Sequence, residues 1–184
     1  MGGKDNAGRE PKNGGLPDVE LQSIPEDPGY LYKKPVMTWQ KNSFSIYTDP
    51  EKMDIPYIHR YLSEESYWAR NIPLETVRRS IAGSLCFGVF EGEKQVGFAR
   101  VMTDKATFGY LADVFIDERY RGLGLSKWMM ESIMAHPDLQ GFRSWMLATR
   151  DAHGLYAQFG FGGLDEPQLF MRKSNPGVYK PGGQ

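Results

Sequence analysis

The stretch "FGYLADVFIDERYRGLGLSKWMMESIM", residues 108–134, constrains the fold more than any other part of the chain. Its first nine residues form a near-continuous apolar run of strand length, the pattern of a strand covered on both faces. Leu125, Trp128, Met129 and Ile133 then recur at helical spacing. Between the two lie Gly122 and Gly124, which let the chain turn sharply and leave no Cβ between the backbone N–H groups and a ligand. A helix that starts there aims its first unpaired N–H groups and the positive end of its dipole into the turn, which makes it a cradle for phosphate. Arg121 and Arg119 add positive charge beside it. The glycines are equally compatible with a plain strand-to-helix turn that holds nothing. Two phosphate motifs are excluded. The dinucleotide fingerprint lacks its third glycine, since Leu125, Ser126 and Lys127 follow Gly124, and no glycine stands where a P-loop requires one before "SK".

The rest of the chain is consistent with a single α/β domain. With 184 residues, 40% of them hydrophobic, it can bury one sizeable core. Residues 1–38 are rich in Gly and Pro and lack periodicity, so they read as a flexible N-terminal extension, with the domain at 39–184. "SFSIYTD" suits a first strand, and "YIHRYLSEES" and "PLETVRRSIAGS" two helices. "LCFGVFEGEKQVGFARVMTD" reads as a hairpin of two strands. After the glycine junction and its helix come the strand "SWMLATR", the short helix "AHGLYAQF" ending at Gly160, and a last strand "QLFMRK".

Charge and cysteine usage exclude several functions. The 22 basic and 23 acidic residues are mixed, for a net charge of −1, which provides neither a nucleic-acid footprint nor a polybasic membrane face. Cys86, the only cysteine, permits no intramolecular disulfide and no Cys-rich metal site, so no metal is expected. No run approaches the length of a membrane span, and the N-terminus has no hydrophobic signal core, so a cytoplasmic location is expected. Gly2 is followed by Asn6 where myristoylation wants Ser or Thr. His59 and His136 read as ordinary surface or helix-end residues.

"DVFIDERYRGLGLSKWMM" resembles the acetyl-CoA signature of the GNAT superfamily of N-acetyltransferases: Arg or Gln, two residues, Gly, one residue, then Gly or Ala. Arg121 takes the first place, Gly124 the fourth and Ser126 the last. Downstream, "ATRDAHGLYAQFGF" is similar to the family's closing motif, with Ala152, Tyr156, Gly160 and Phe161 in its key places. The resemblance covers about residues 40–173. It implies an α/β (α+β) fold with a mixed, mostly antiparallel central sheet flanked by helices, and acetyl-CoA as cosubstrate. It further implies that Val114, Phe115 and Ile116 splay from the strand "SWMLATR" so that pantetheine pairs with their backbone. The backbone of Arg121, Gly122, Leu123, Gly124, Leu125 and Ser126 would then hold the pyrophosphate.

Acetyl transfer to an amine also needs a proton donor for the leaving thiolate and a route for the amine proton. Tyr156 is the expected acid, because a phenol with a pKa near 10 can donate to a thiolate near 8.5; on spacing alone it could equally be a core tyrosine. Asp113 could order water near the incoming amine, and Glu64 or Glu65 could reach the acceptor mouth; all three could also be solvated acids. His153 adjoins the acid's helix and could bind cofactor or cap a turn. Tyr67 and Trp68 either pack the core or wall an amine pocket. In the second case Arg70 suggests an acceptor that also carries a carboxylate or phosphate. The expected activity is therefore N-acetyl transfer to a primary amine, a small molecule, directly within a ternary complex. The alternatives are a non-catalytic acyl-CoA-binding module and an O-acetyl or longer-acyl transferase. A homodimer is compatible with this sequence.

Overall fold

The computed structural model describes residues 36–179. The expectations for residues 1–35 fall outside the described residues, which belong to one compact unit, Pro35–Gln184. Six strands form one sheet in sequence order: β1 Thr38–Lys41, β2 Phe44–Tyr47, β3 Leu85–Glu91, β4 Lys94–Thr103, β5 Phe108–Ile116 and β6 Ser144–Met146. Every neighbouring pair is antiparallel except β5–β6, which is parallel. Four α-helices accompany the sheet: α1 Ile55–Arg60, α2 Leu74–Ala82, α3 Leu125–Met134 and α4 His153–Ala157. Sheet and helices together are the mixed, mostly antiparallel α/β arrangement the sequence implies. No helix of the described residues is long and apolar enough to cross a membrane.

Strand alternation sorts the core into two layers. One sheet face carries Cys86, Phe98 and Phe115 against Tyr57, Ile58, Tyr61, Leu62, Val77 and Ile81 of the α1–α2 segment. The other carries Phe87, Val89, Ala99, Val101 and Leu111 against Leu125, Trp128, Met129 and Ile133 of α3. Each such side chain, fully buried, contributes roughly 1.5–3 kcal/mol. α1 begins where the Asp54 carboxylate accepts the Tyr57 N–H at 3.0 Å, a side-chain cap. It runs on into a wider π turn over Tyr61–Glu65, closed by the Ser66 N–H to the Tyr61 carbonyl.

The structure departs from the sequence reading at both ends of the domain. β1 was not expected, because "TWQK" falls at the border of the presumed extension. It forms a hairpin with β2 through Asn42, whose φ of 55° suits an asparagine in a tight turn. Trp39 of β1 then sits 6.1 Å from the Phe87 ring. The expected last strand "QLFMRK" does not form. Pro167 has no N–H to give a ladder and starts a 3-10 turn, Pro167–Leu169, with the Phe170 N–H bonded to the Pro167 carbonyl.

His136 is the third difference. Although it stands at a helix end, it is fully buried, with its ring 5.7 Å from Phe87 and 6.3 Å from Trp39. Nδ1 accepts the Asp138 N–H at 3.1 Å, while Nε2 has no partner among the described residues. Burial lowers its pKa; Asp138 opposes that shift and Lys105 adds to it. A depressed folded-state pKa means that the folded state favours neutral imidazole, so its stability is whole above the ordinary histidine pKa and is lost as pH falls below it. Stability should therefore fall as pH drops below about 6.5, by up to about 1.4 kcal/mol per pH unit. In His136→Phe that dependence should flatten, as measured by urea unfolding at several pH values. An unchanged slope in the variant would assign the acid sensitivity to other groups.

Candidate active site

The site is built on an interruption of the sheet. Pairing between β4 and β5 passes from Phe98↔Phe115 to Arg100↔Ala112, so Asp113 and Val114 together face Ala99 in a β-bulge. Asp113 has φ of 53°, a left-handed conformation that costs a non-glycine residue energy unless its surroundings fix it. They do. Arg100 Nε donates to Asp113 Oδ2 at 2.6 Å, and Trp68 Nε1 donates to Oδ1 at 3.0 Å. The two ion-pair side chains are only 14% and 9% exposed.

On its other side β5 pairs with β6 only at Phe108↔Ser144, Gly109↔Trp145 and Tyr110↔Met146. β5 continues to Ile116, so residues 111–116 present a strand edge with no partner strand on that side among the described residues. Val114 is half-buried, whereas Phe115 and Ile116 point into opposite core layers. Phe115 stacks on Tyr61 with ring centroids 3.7 Å apart. What these residues turn toward the opening is therefore backbone rather than side chain.

The open edge runs into the glycine loop. Gly122 and Gly124 have φ of 78° and 75°, and a Cβ at either would meet nothing within 4 Å. Glycine is needed there for the handedness of the backbone. The first helical bond is Trp128 N–H to the Gly124 carbonyl. The N–H groups of residues 122–127 thus have no backbone acceptor among the described residues and are available to an anion. Leu123 is exposed, Leu125 buried and Ser126 half-buried. The arginines differ from expectation: Arg119 is forked onto Asp117, and Arg121 donates to the Ile116 carbonyl and the Tyr61 hydroxyl. Their side chains brace the loop, and the anion-binding capacity belongs to the backbone.

Tyr156 stands on α4 and belongs to the core layer under α3. It is 8% exposed, and its hydroxyl has no hydrogen-bond partner among the described residues. Burial, reinforced by the Tyr67 hydroxyl and the Asp151 carboxylate, pushes its pKa up to about 12. The Ala152 carbonyl accepts the Leu155 and Tyr156 N–H groups, and Gly160, at φ 83°, turns the chain so that the Phe161 N–H reaches the Tyr156 carbonyl. His153, at the start of α4, is exposed.

Tyr67 and Trp68 are 45% and 41% exposed and lie edge to face, 5.0 Å apart. Trp68 reaches Asp113 on the β5 side, while the Tyr67 hydroxyl accepts the Arg150 N–H at 3.1 Å on the β6 side. The segment between α1 and α2 is thus strapped across the opening between the strands. Arg70 turns back to donate to the Glu64 carbonyl, and Glu64 and Glu65 are exposed. Sequence reasoning missed Arg100 and Arg150. A lone arginine in "VGFARVM" opposite a lone aspartate in "YLADVFI" was the available signal for the first. Two cavities, about 630 Å³ around Trp145, Phe161 and Phe170 and about 550 Å³ around Tyr57, Lys94 and Arg119, contain no residue of the open edge. The opening is a groove instead. Among the described residues no group of three His, Cys, Asp or Glu side chains is placed to hold a metal.

The fold and groove define an acyl-CoA-type transferase scaffold. The model of the Acetyltransferase (GNAT) family matches residues 55–161, and the chain belongs to this family. It is 30% identical over 142 residues to a predicted acetyltransferase of Gibberella zeae, covering 65% of this chain and 79% of that protein. A crystal structure of a Xanthomonas campestris protein assigned to the GNAT family is 51% identical, with a TM-score of 0.74, covering 75% of this chain and 97% of that one. A Clostridium acetobutylicum predicted acetyltransferase, solved with acetyl-CoA, shares the fold at 13% identity and a TM-score of 0.55, covering 75% and 96% of the two chains. The protein is thus a GNAT-family acetyltransferase, a family that uses acetyl-CoA.

Asp113, expected to order water near the incoming amine, also has a structural part in this geometry. Both of its oxygens already accept hydrogen bonds, one from a guanidinium, so it positions Trp68 and the bulge. Asn tolerates a positive φ and keeps an acceptor for Trp68, but leaves Arg100 without its counter-charge. Asp113→Asn should cost about 3–5 kcal/mol in urea unfolding. A loss below about 1 kcal/mol would mean that solvent already screens the pair.

Proposed function

We propose that the protein transfers an acetyl group from acetyl-CoA to the nitrogen of a primary amine, a small molecule, directly within a ternary complex. One observation carries this reading: the unpartnered edge of β5 ends at the glycine loop with its free N–H groups. The loop N–H groups fit a diphosphate, and the β5 edge fits the amide-bearing arm of the cosubstrate as an added strand. When bound, acetyl-CoA supplies the activated acyl group. Everything else falls to the chain. A backbone N–H of residues 113–116 would polarise the acyl carbonyl. The nitrogen–carbon bond forms as the carbon–sulfur bond breaks; nitrogen sheds one proton and sulfur gains one.

Tyr156 assists at sulfur. With its pKa at about 12, it is protonated at every working pH. Full proton transfer to a thiolate near 8.5 is uphill, so its main contribution is a hydrogen bond to the developing sulfur charge. Direct transfer is supported by Cys86, which is 2% exposed in the layer beneath α1 and α2, its thiol turned to the Ile81 carbonyl.

A thiol-release assay with acetyl-CoA over a panel of amines tests the activity. Turnover is expected with at least one primary amine; acetyl-CoA binding without turnover of any acceptor would instead establish a binding module. Tyr156→Phe keeps the ring, so it should retain acetyl-CoA affinity while kcat falls about 10- to 100-fold. Because its raised pKa delays ionisation, Tyr156 should cause no loss of kcat below about pH 11. Wild-type kcat in a correctly folded Tyr156→Phe variant would make the tyrosine a packing residue.

A further inference from the structure

We propose that Arg150 is the residue that selects the acceptor, by binding a carboxylate that the amine substrate carries; this rests on the N-acetyltransferase reading above. The other arginines around the groove are committed. Arg100 holds Asp113, Arg119 holds Asp117, Arg121 holds the Ile116 carbonyl and Tyr61, and Arg70 holds the Glu64 carbonyl. The guanidinium of Arg150 donates no hydrogen bond to any described residue. Its nearest acid, Asp151, is 3.9 Å away, and both side chains are about two-thirds exposed. A contact of that kind in solvent leaves the guanidinium's donors available.

Arg150 is nonetheless well placed. Its N–H is bonded to the Tyr67 hydroxyl and its guanidinium lies 3.8 Å over the Tyr67 ring. Stacking fixes the plane of the fork and leaves its N–H edges open, the geometry that receives a carboxylate through two parallel bonds. Tyr67 is followed by Trp68, whose ring nitrogen is bonded to Asp113 of the open strand, so this cation stands at the rim of the groove. Between the cation and the groove, the Tyr67 hydroxyl accepts from the Arg150 N–H and the Trp68 ring nitrogen donates to Asp113, which fixes both rings. The strap therefore offers the exposed Trp68 ring to the carbon skeleton of an amino acid, with Arg150 at one end and the acyl-transfer centre at the other.

The test uses the full chain at saturating acetyl-CoA, with amino acids and their primary amides compared at equal concentrations of unprotonated amine. The wild type should favour the carboxylate in kcat/KM by about tenfold or more, the effect of a charged hydrogen-bonded pair. In Arg150→Gln the carboxylate-to-amide ratio should fall to about one, mainly through the acceptor KM, and Arg150→Lys should restore part of it. Titration calorimetry of the same amino acids in the presence of CoA should show binding to the wild type and its loss in Arg150→Gln. No preference in the wild type, or a preference that survives in Arg150→Gln, overturns the assignment. So does a variant whose main change is a raised KM for acetyl-CoA, which would place the cation on the cosubstrate. If no amine is turned over, the transfer reading fails, while calorimetry still decides whether Arg150 holds a carboxylate.

Discussion

The contact between Arg100 and Asp113 is where the architecture of this protein is decided. Without it, an aspartate in a left-handed conformation in the middle of a buried strand would be a cost with nothing to offset it. With it, β5 accommodates an extra residue in a bulge, a few residues beyond its last pair with β6 at Tyr110. One ion pair thus sets the shape of the sheet and also, through Trp68, the position of the segment that crosses the resulting opening. Strand geometry and acceptor side are mechanically the same feature.

That coupling explains why the two core layers differ in character. The layer under α3 is mostly aliphatic and aromatic, with Ser132 of α3 and His136 at its edge as buried polar residues. The layer under α1 and α2 lies beside the functional groove, and there polar links reach inward: Ser84 receives a bond from Arg100 and gives one to the Ser80 carbonyl. Arg121, expected to meet phosphate, joins this framework through Tyr61, whose ring is stacked on Phe115 of the open strand. The glycine loop, α1 and β5 are held as one piece before any ligand arrives.

Much of this was legible in the amino acids because the signals were local. Apolar runs, helical spacing and the two glycines locate β3, β4, β5, α3 and α4, and the glycine pair locates the loop at the end of the open strand. What escaped was non-local. β1 is four residues long and is stabilised by a hairpin partner and by Trp39 packing on Phe87, neither visible in "TWQK". "QLFMRK" has strand composition, yet no partner strand beside it in the described residues, and Pro167 turns the chain just before it. Nothing local in the sequence singles out Arg150; only folding brings it onto Tyr67, 83 residues earlier in the chain.

The glycine loop carries a further consequence, one of handedness. Space is open where a side chain at Gly122 or Gly124 would begin, and the obstacle is the sign of φ alone. For an L-residue that region is a strained exception, whereas for its mirror image it is the ordinary right-handed basin. A D-alanine introduced at Gly124 by chemical ligation would therefore suit the backbone that L-alanine strains, while placing the same methyl group in the phosphate cradle. The pair of stereoisomers separates two properties that glycine supplies together, the freedom to bend and the absence of bulk where an anion must approach.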